Sequence, residues 1–129
     1  MPKLKPFPII ELVVKEILQK EYPDISIGGD LSYVDIVPRI WVSAVQGAGR
    51  NDQINGVWFV DIDVFHTSFS KGMTLANDIE ALLLGGAHVT SRGVIDRVRQ
   101  SSPPTEVPWK DDKYYRMACT YSFEARRSG

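Results

Sequence analysis

Apolar and polar positions along this chain recur with two periods, one of two residues and one of three to four. The cleanest alternation lies near the end, in Tyr115–Arg127. There Met117, Cys119, Tyr121, Phe123 and Ala125 point one way, and Arg116, Thr120, Ser122, Glu124 and Arg126 the other. Val57–His66, V-W-F-V-D-I-D-V-F-H, predicts a long central strand of β-branched and aromatic residues. Its even positions, Trp58, Val60, Ile62 and Val64, form a continuous apolar face. Its odd positions, Phe59, Asp61, Asp63 and Phe65, mix aromatics with carboxylates, as suits a surface partly solvated and partly packed. Arg39–Val45 alternates Ile40, Val42 and Ala44 against Arg39, Trp41 and Ser43, a further strand, and Val94–Gln100 predicts another in which Arg97 and Arg99 share a face.

The longer period marks two helices. In Ile9–Glu21 the residues Ile10, Val13, Val14, Ile17 and Leu18 recur at helical spacing, and Tyr22-Pro23-Asp24 stops the helix. A second helix is expected from a Thr74 cap to Leu84, with Leu75, Ile79, Leu82 and Leu83 on one face and Gly85-Gly86 as its stop. Residues 25–37 are expected to form a loop entering a short strand, with Pro38 marking an edge or a strand start. Gln46–Gly56 is expected to be a long glycine-rich hairpin loop, and the prolines of Ser101–Asp112 to keep that stretch out of regular structure. The order predicts an α+β fold, two helices packed on one face of a mainly antiparallel or mixed sheet of four to five strands. At 129 residues, of which 43% are hydrophobic, the chain is expected to form a single domain, 1–129.

Charge changes this picture little. The formal net charge is −1, so no bulk field favours nucleic acid or membrane. Residues 1–64 carry 6 basic and 9 acidic side chains and residues 65–129 carry 9 and 7, an asymmetry that favours head-to-tail association of like subunits. Cys119 is the only cysteine, which excludes an internal disulfide and fits a reducing compartment. The start, M-P-K-L-K-P-F-P, lacks the apolar core of a signal peptide, and no run approaches a membrane span, so a soluble protein made inside the cell is expected.

Little in the chain points to catalysis. Asp61 and Asp63 lie about 7 Å apart on one strand face, near enough to share a metal, but no third ligand follows at fixed spacing. Solvent or subunit-interface carboxylates are the favoured reading over a D-x-D metal site. His66 and His88 lack metal-ligand spacing and are expected on the surface or at helix caps. Gly47-x-Gly49 lacks the third glycine of a dinucleotide loop, and no phosphate loop or nucleophile elbow is present. Cys119 is expected to be inert core. No cofactor is implied. Arg92, Arg97, Arg99, Arg116, Arg126 and Arg127 gather in the last third, interspersed with Asp96, Glu106, Asp111 and Asp112, and predict a solvated strand face with subunit salt bridges ahead of nucleic-acid contact. Trp109, between Pro108 and Lys110, is expected either to fold back as a plug or to be offered to a partner.

Several segments carry a resemblance. An N-terminal helix is followed by W-x-V-D-I-D-V-F (Trp58–Phe65), A-x-D-I-E-A-L-L (Ala76–Leu83), G-V-I-D-R-V-R (Gly93–Arg99), P-x-x-x-x-x-P-W (Pro103–Trp109) and T-Y-S-F-E-A-R (Thr120–Arg126). Together they resemble the tail terminator proteins of long, flexible-tailed bacteriophages, the family that includes the phage lambda tail terminator. The last two segments resemble terminators of actinobacterial phages. The resemblance implies a non-enzymatic virion protein, assembled in the host cytoplasm, that closes as a hexameric ring on the tail tube. It also implies major tail tube and head-completion or connector proteins as partners, DNA only in passage through the lumen, and no membrane. On that reading Phe59, Asp61, Asp63, Phe65, Arg50 and Trp109 are expected at subunit or tube interfaces, and Arg97 and Arg99 facing the lumen. The alternatives are a head-closure or tail-completion subunit of the same neck region, a small metal-dependent enzyme using Asp61 and Asp63, and a nucleic-acid-binding module using the arginine strand.

Overall fold

The computed structural model describes residues 6–28, 37–46, 55–109 and 113–127. Helix α1 (Ile10–Glu21) precedes strands β1 (Ser26–Gly28), β2 (Arg39–Gln46) and β3 (Asn55–His66). Helix α2 (Phe69–Leu83) then leads to β4 (His88–Thr90), β5 (Gly93–Val107) and β6 (Tyr115–Arg126). The strands form one mixed sheet in the order β1-β2-β3-β6-β5-β4. Among the described residues only the β1–β2 pair is parallel. The α+β class and the two helices agree with the sequence pattern. Among the described residues the sheet has six strands rather than four to five, because the three-residue β1 and β4 are too short to show a period.

The last strand is threaded into the middle of the sheet, between β3 and β5. β3 and β6 pair antiparallel along their whole length, from Asn55 opposite Arg126 to His66 opposite Tyr115. Of their inward positions, Val60, Ile62, Val64, Met117, Cys119, Tyr121, Phe123 and Ala125 are buried, as the alternation predicts, and Trp58 is half-buried against them. α1 contributes Ile10, Val13, Val14, Ile17 and Leu18 to this core, and α2 contributes Ala76, Ile79 and Leu83. Full burial of such a side chain is worth about 1.5–3 kcal/mol, and neither helix is long enough to be stable alone.

α1 touches β1 and β2 on one side and β4 on the other, so the sheet curls until its two edges share one helix. Polar groups fix that placement. Glu11 accepts from the Ala44 amide (3.0 Å), and Glu16 accepts from the Ser91 amide (3.0 Å) and from the Ser91 hydroxyl. The Ser91 hydrogen bonds hold the Glu16 carboxyl below its ordinary pKa.

Two expectations are corrected. α2 starts five residues before Thr74: Ser68 is the cap, its hydroxyl accepting from the Lys71 amide at 3.3 Å. The helix therefore runs through Gly72, where a Cβ would overlap Met117 Cε and meet His66 Cβ at 3.0 Å. That glycine belongs to the packing of helix on sheet rather than to a loop. Ser101–Val107 is strand rather than irregular chain. Beyond Ile95 no strand borders β5 on its outer side among the described residues, so Pro103 and Pro104 fall on an open edge, at a register shift between Ser102 and Thr105. A missing amide proton is tolerated there.

The histidines serve the ends of α2. His66 Nδ1 accepts from the Ser68 amide at 3.0 Å, and burial, then the Lys71 charge, lowers its pKa and favours the neutral, accepting ring. His88 Nε2 donates to the Leu83 carbonyl at 3.0 Å. Both are cap roles.

Gly93 opens β5 at φ 155°, and a Cβ there would meet Pro8 at 2.6 and 2.9 Å. Gly93→Ala is expected to destabilise the protein by about 1–3 kcal/mol through backbone strain and overlap with a rigid ring. Denaturant unfolding measures this, and an unchanged midpoint would contradict the packing of Pro8 on the β4–β5 turn.

Candidate functional site

Both helices cover the inner face of the sheet, and no helix covers the outer one among the described residues. Register builds the outer face in rows across four strands. Arg39, Phe65, Arg116 and Val107 form one row, and Trp41, Asp63, Ala118 and Thr105 the next. Ser43, Asp61, Thr120 and Ser102 follow, then Val45, Phe59, Ser122 and Arg99. The expected interface residues of β3 thus stand together on one face, in different environments.

At one end the face is covered by the chain itself. Trp109 folds back onto Phe65, ring centroids 4.9 Å apart and planes at 67°, and Phe65 is fully buried. The Arg116 guanidinium lies 5.9 Å from the Phe65 centroid and 5.3 Å from that of Trp109, within reach of both ring faces. It donates from Nε at 2.6 Å and from Nη2 at 2.5 Å to one oxygen of Asp63. Of the two fates open to Trp109, the structure shows the plug.

Among the described residues Asp63 is the one charged side chain in the buried interior, 1% exposed. Burial raises its pKa, the Arg116 charge and hydrogen bonds oppose that rise, and the Asp61 charge adds to it. Asp61, two residues earlier, is exposed and accepts from Thr120 Oγ1 at 2.7 Å. The two carboxylates therefore have different partners, and among the described residues no three His, Cys, Asp or Glu side chains gather as a metal-holding group.

At the other end the face is open. Val45 is 61% and Phe59 37% exposed, and they stand directly opposite each other on β2 and β3. Arg97 and Arg99 are exposed at the β5 side, opposite Glu124 and Ser122. The salt bridges visible within the chain include Arg116–Asp63 and Arg126–Asp96, the latter at 2.9 Å. Arg127 sits 4.1 Å over the Phe7 ring, which packs edge-on against Trp58. Cys119 is buried and donates to the Ser102 carbonyl at 2.9 Å, and burial raises its pKa, away from nucleophilic use. Arg50, and residues 47–54 of the glycine-rich loop, lie outside the described residues.

Sequence reasoning missed the role of Arg116 and the exposure of Val45. The alternation put Arg116 on the face away from the core, as Asp63 is, but the pairing of β3 with β6 brings them within bonding distance, and only the register supplies that. No helix of the described residues is long and apolar enough to cross a membrane.

The sequence matches no family model and no curated protein. The structure is similar to a chain from the virion of a native gene transfer agent particle, with a TM-score of 0.57, 11% sequence identity, and coverage of 88% of this chain and 84% of that one. At that identity the likeness shows a shared fold.

Truncating Arg116 leaves Asp63 buried without its cation, so Arg116→Ala is expected to destabilise by about 3 kcal/mol and to loosen Trp109, read by near-ultraviolet circular dichroism. Asp63 has a folded-state pKa above its unfolded one, so it favours folding most below the unfolded value and loses that contribution as pH rises through the folded value. The stability of the wild type relative to Asp63→Asn is therefore expected to fall as pH rises from below about 4. A difference that rises over that range would contradict the burial of Asp63.

Proposed function

We propose that this chain is a structural protein of a phage-type virion, a tail terminator subunit that closes as a hexameric ring on the end of a tail tube. The ring stops tube growth and presents a docking surface to the head-completion proteins. The observation that carries this reading is the one-sided fold: both helices lie on one sheet face, and the other face ends in an exposed Val45–Phe59 pair. The resemblance of the Trp58–Phe65 and Thr120–Arg126 segments to tail terminators supports it. So does the fold shared with a component of a gene transfer agent virion.

In this reading the chain assembles and does not catalyse. A ring needs two different patches that fit one another and close. Val45, Phe59 and Asp61 form part of one of them. Phe65 and Asp63, expected at that interface from sequence, are buried in the subunit and support it from beneath, with Trp109 as their cover. Arg97 and Arg99, on the outer strand of the same face, line the channel through which DNA passes, and the tail tube and head-completion proteins meet the two faces of the ring.

Six copies of the 14.5 kDa chain make a particle of about 87 kDa, and native mass spectrometry or light scattering across concentration, with and without tail tube, reads it directly. Phe59→Glu and Val45→Glu are expected to shift that mass to the monomer with little change in melting temperature, because both side chains are already solvent-exposed. An annular particle that survives both substitutions would exclude this face as the subunit contact. A monomer at every concentration, and on tubes, would favour a head-closure or tail-completion subunit.

A further inference from the structure

The turn between β4 and β5 gathers arginines that lie far apart in the sequence. Ser91 and Arg92 form the turn, and Thr90 pins it: its hydroxyl accepts from the amides of Arg92 (3.2 Å) and Gly93 (3.1 Å) and donates to the Gly93 carbonyl (2.8 Å). Glu16 of α1 holds Ser91 from the other side. The end of β6 lies beside this turn. Between them is a groove of about 420 Å³, lined by residues including Thr90, Ser91, Arg92, Arg126 and Arg127.

Among the described residues no carboxylate lines the groove; Asp96 pairs with Arg126 and offsets its charge, and Glu16 accepts from Ser91 on the far side of the turn, which leaves the Arg92 charge of the groove uncompensated among the described residues. Arg97 and Arg99 continue the positive charge along β5, exposed and on one face. Glu124, opposite Arg97, is the acidic residue that faces this run. Alternate residues of a strand lie about 6.6 Å apart, close to twice the 3.4 Å axial step of phosphates along one DNA strand. Among the described residues no aromatic side chain lines the groove, so they offer no platform for stacking on bases there.

We propose that this groove is a phosphate site for the backbone of a nucleic acid, extended along β5 by Arg97 and Arg99. The proposal rests on the reading of those two arginines as facing the DNA channel, and it gives the channel a specific contact. Guanidinium groups suit phosphate through their charge and their forked donors, and contact to phosphate alone carries no sequence preference.

The test is fluorescence anisotropy of the full chain with a labelled duplex of about 20 base pairs, titrated from low to physiological salt. About four phosphate contacts predict a slope of log K against log salt between about −3 and −4. Arg92→Ala, an exposed turn residue, is expected to weaken binding and reduce that slope by about 0.9 without altering thermal unfolding, and Arg97→Ala to do the same. Lys71→Ala, on α2, is expected to leave binding unchanged. Inorganic phosphate is expected to compete.

Absence of binding at the lowest salt overturns the proposal, and so does an Arg92→Ala slope equal to the wild type. Competition by polyglutamate with no response to inorganic phosphate overturns it in favour of an acidic protein partner. Native mass on the same samples, with and without tail tube, separates it from the ring: an oligomer that ignores DNA removes this inference alone, whereas DNA binding by a protein that stays monomeric at every concentration and on tubes keeps it and removes the ring.

Discussion

The pairing of β3 with β6 along their full length is the constraint from which the rest of the molecule follows. It lays eight apolar side chains on one side of the two central strands, a surface that water cannot solvate without loss. α2 covers part of it, and α1 covers the remainder only because the sheet curls far enough for its β1–β2 edge and its β4 edge to reach the same helix. Glu11 and Glu16 then tie that helix to an open amide of β2 and to the β4–β5 turn. Removing curvature would leave α1 with one edge to pack on and its apolar stripe half exposed.

The outer face shows the opposite balance. It has no helix above it among the described residues, yet it holds a buried aromatic and a buried carboxylate. Arg116 reconciles the two, pairing with Asp63 while its flat guanidinium lies near both Phe65 and Trp109. One cation thus compensates a desolvated charge and supports the plug that covers Phe65. The plug stops short of Val45 and Phe59, so apolar surface is left where a neighbour can bury it.

The open edge of β5 and the arginine groove at its start occupy the side of the sheet away from the β1–β2 edge. Long open edges invite pairing with other chains, and the two prolines with their register shift blunt this one. The same prolines that argue against a strand in the linear sequence serve here to limit one.

Periodicity by itself determined α1, the part of α2 after Thr74, β2, β3 and β6, and the apolar side that each turns to the core, because apolar burial is decided locally by which residues share a face. It also placed Phe59, Asp61, Asp63 and Phe65 on a common outer surface. It did not determine that Asp63 is buried and Asp61 exposed, that Trp109 lies on Phe65, or that β5 runs through Pro103 and Pro104. Those depend on register and on which strand neighbours which, and these are long-range choices made by the insertion of β6 between β3 and β5. The arginines gave the same lesson: the sequence counts them, but only the β4–β5 turn and the end of β6 bring Arg92, Arg126 and Arg127 to one groove.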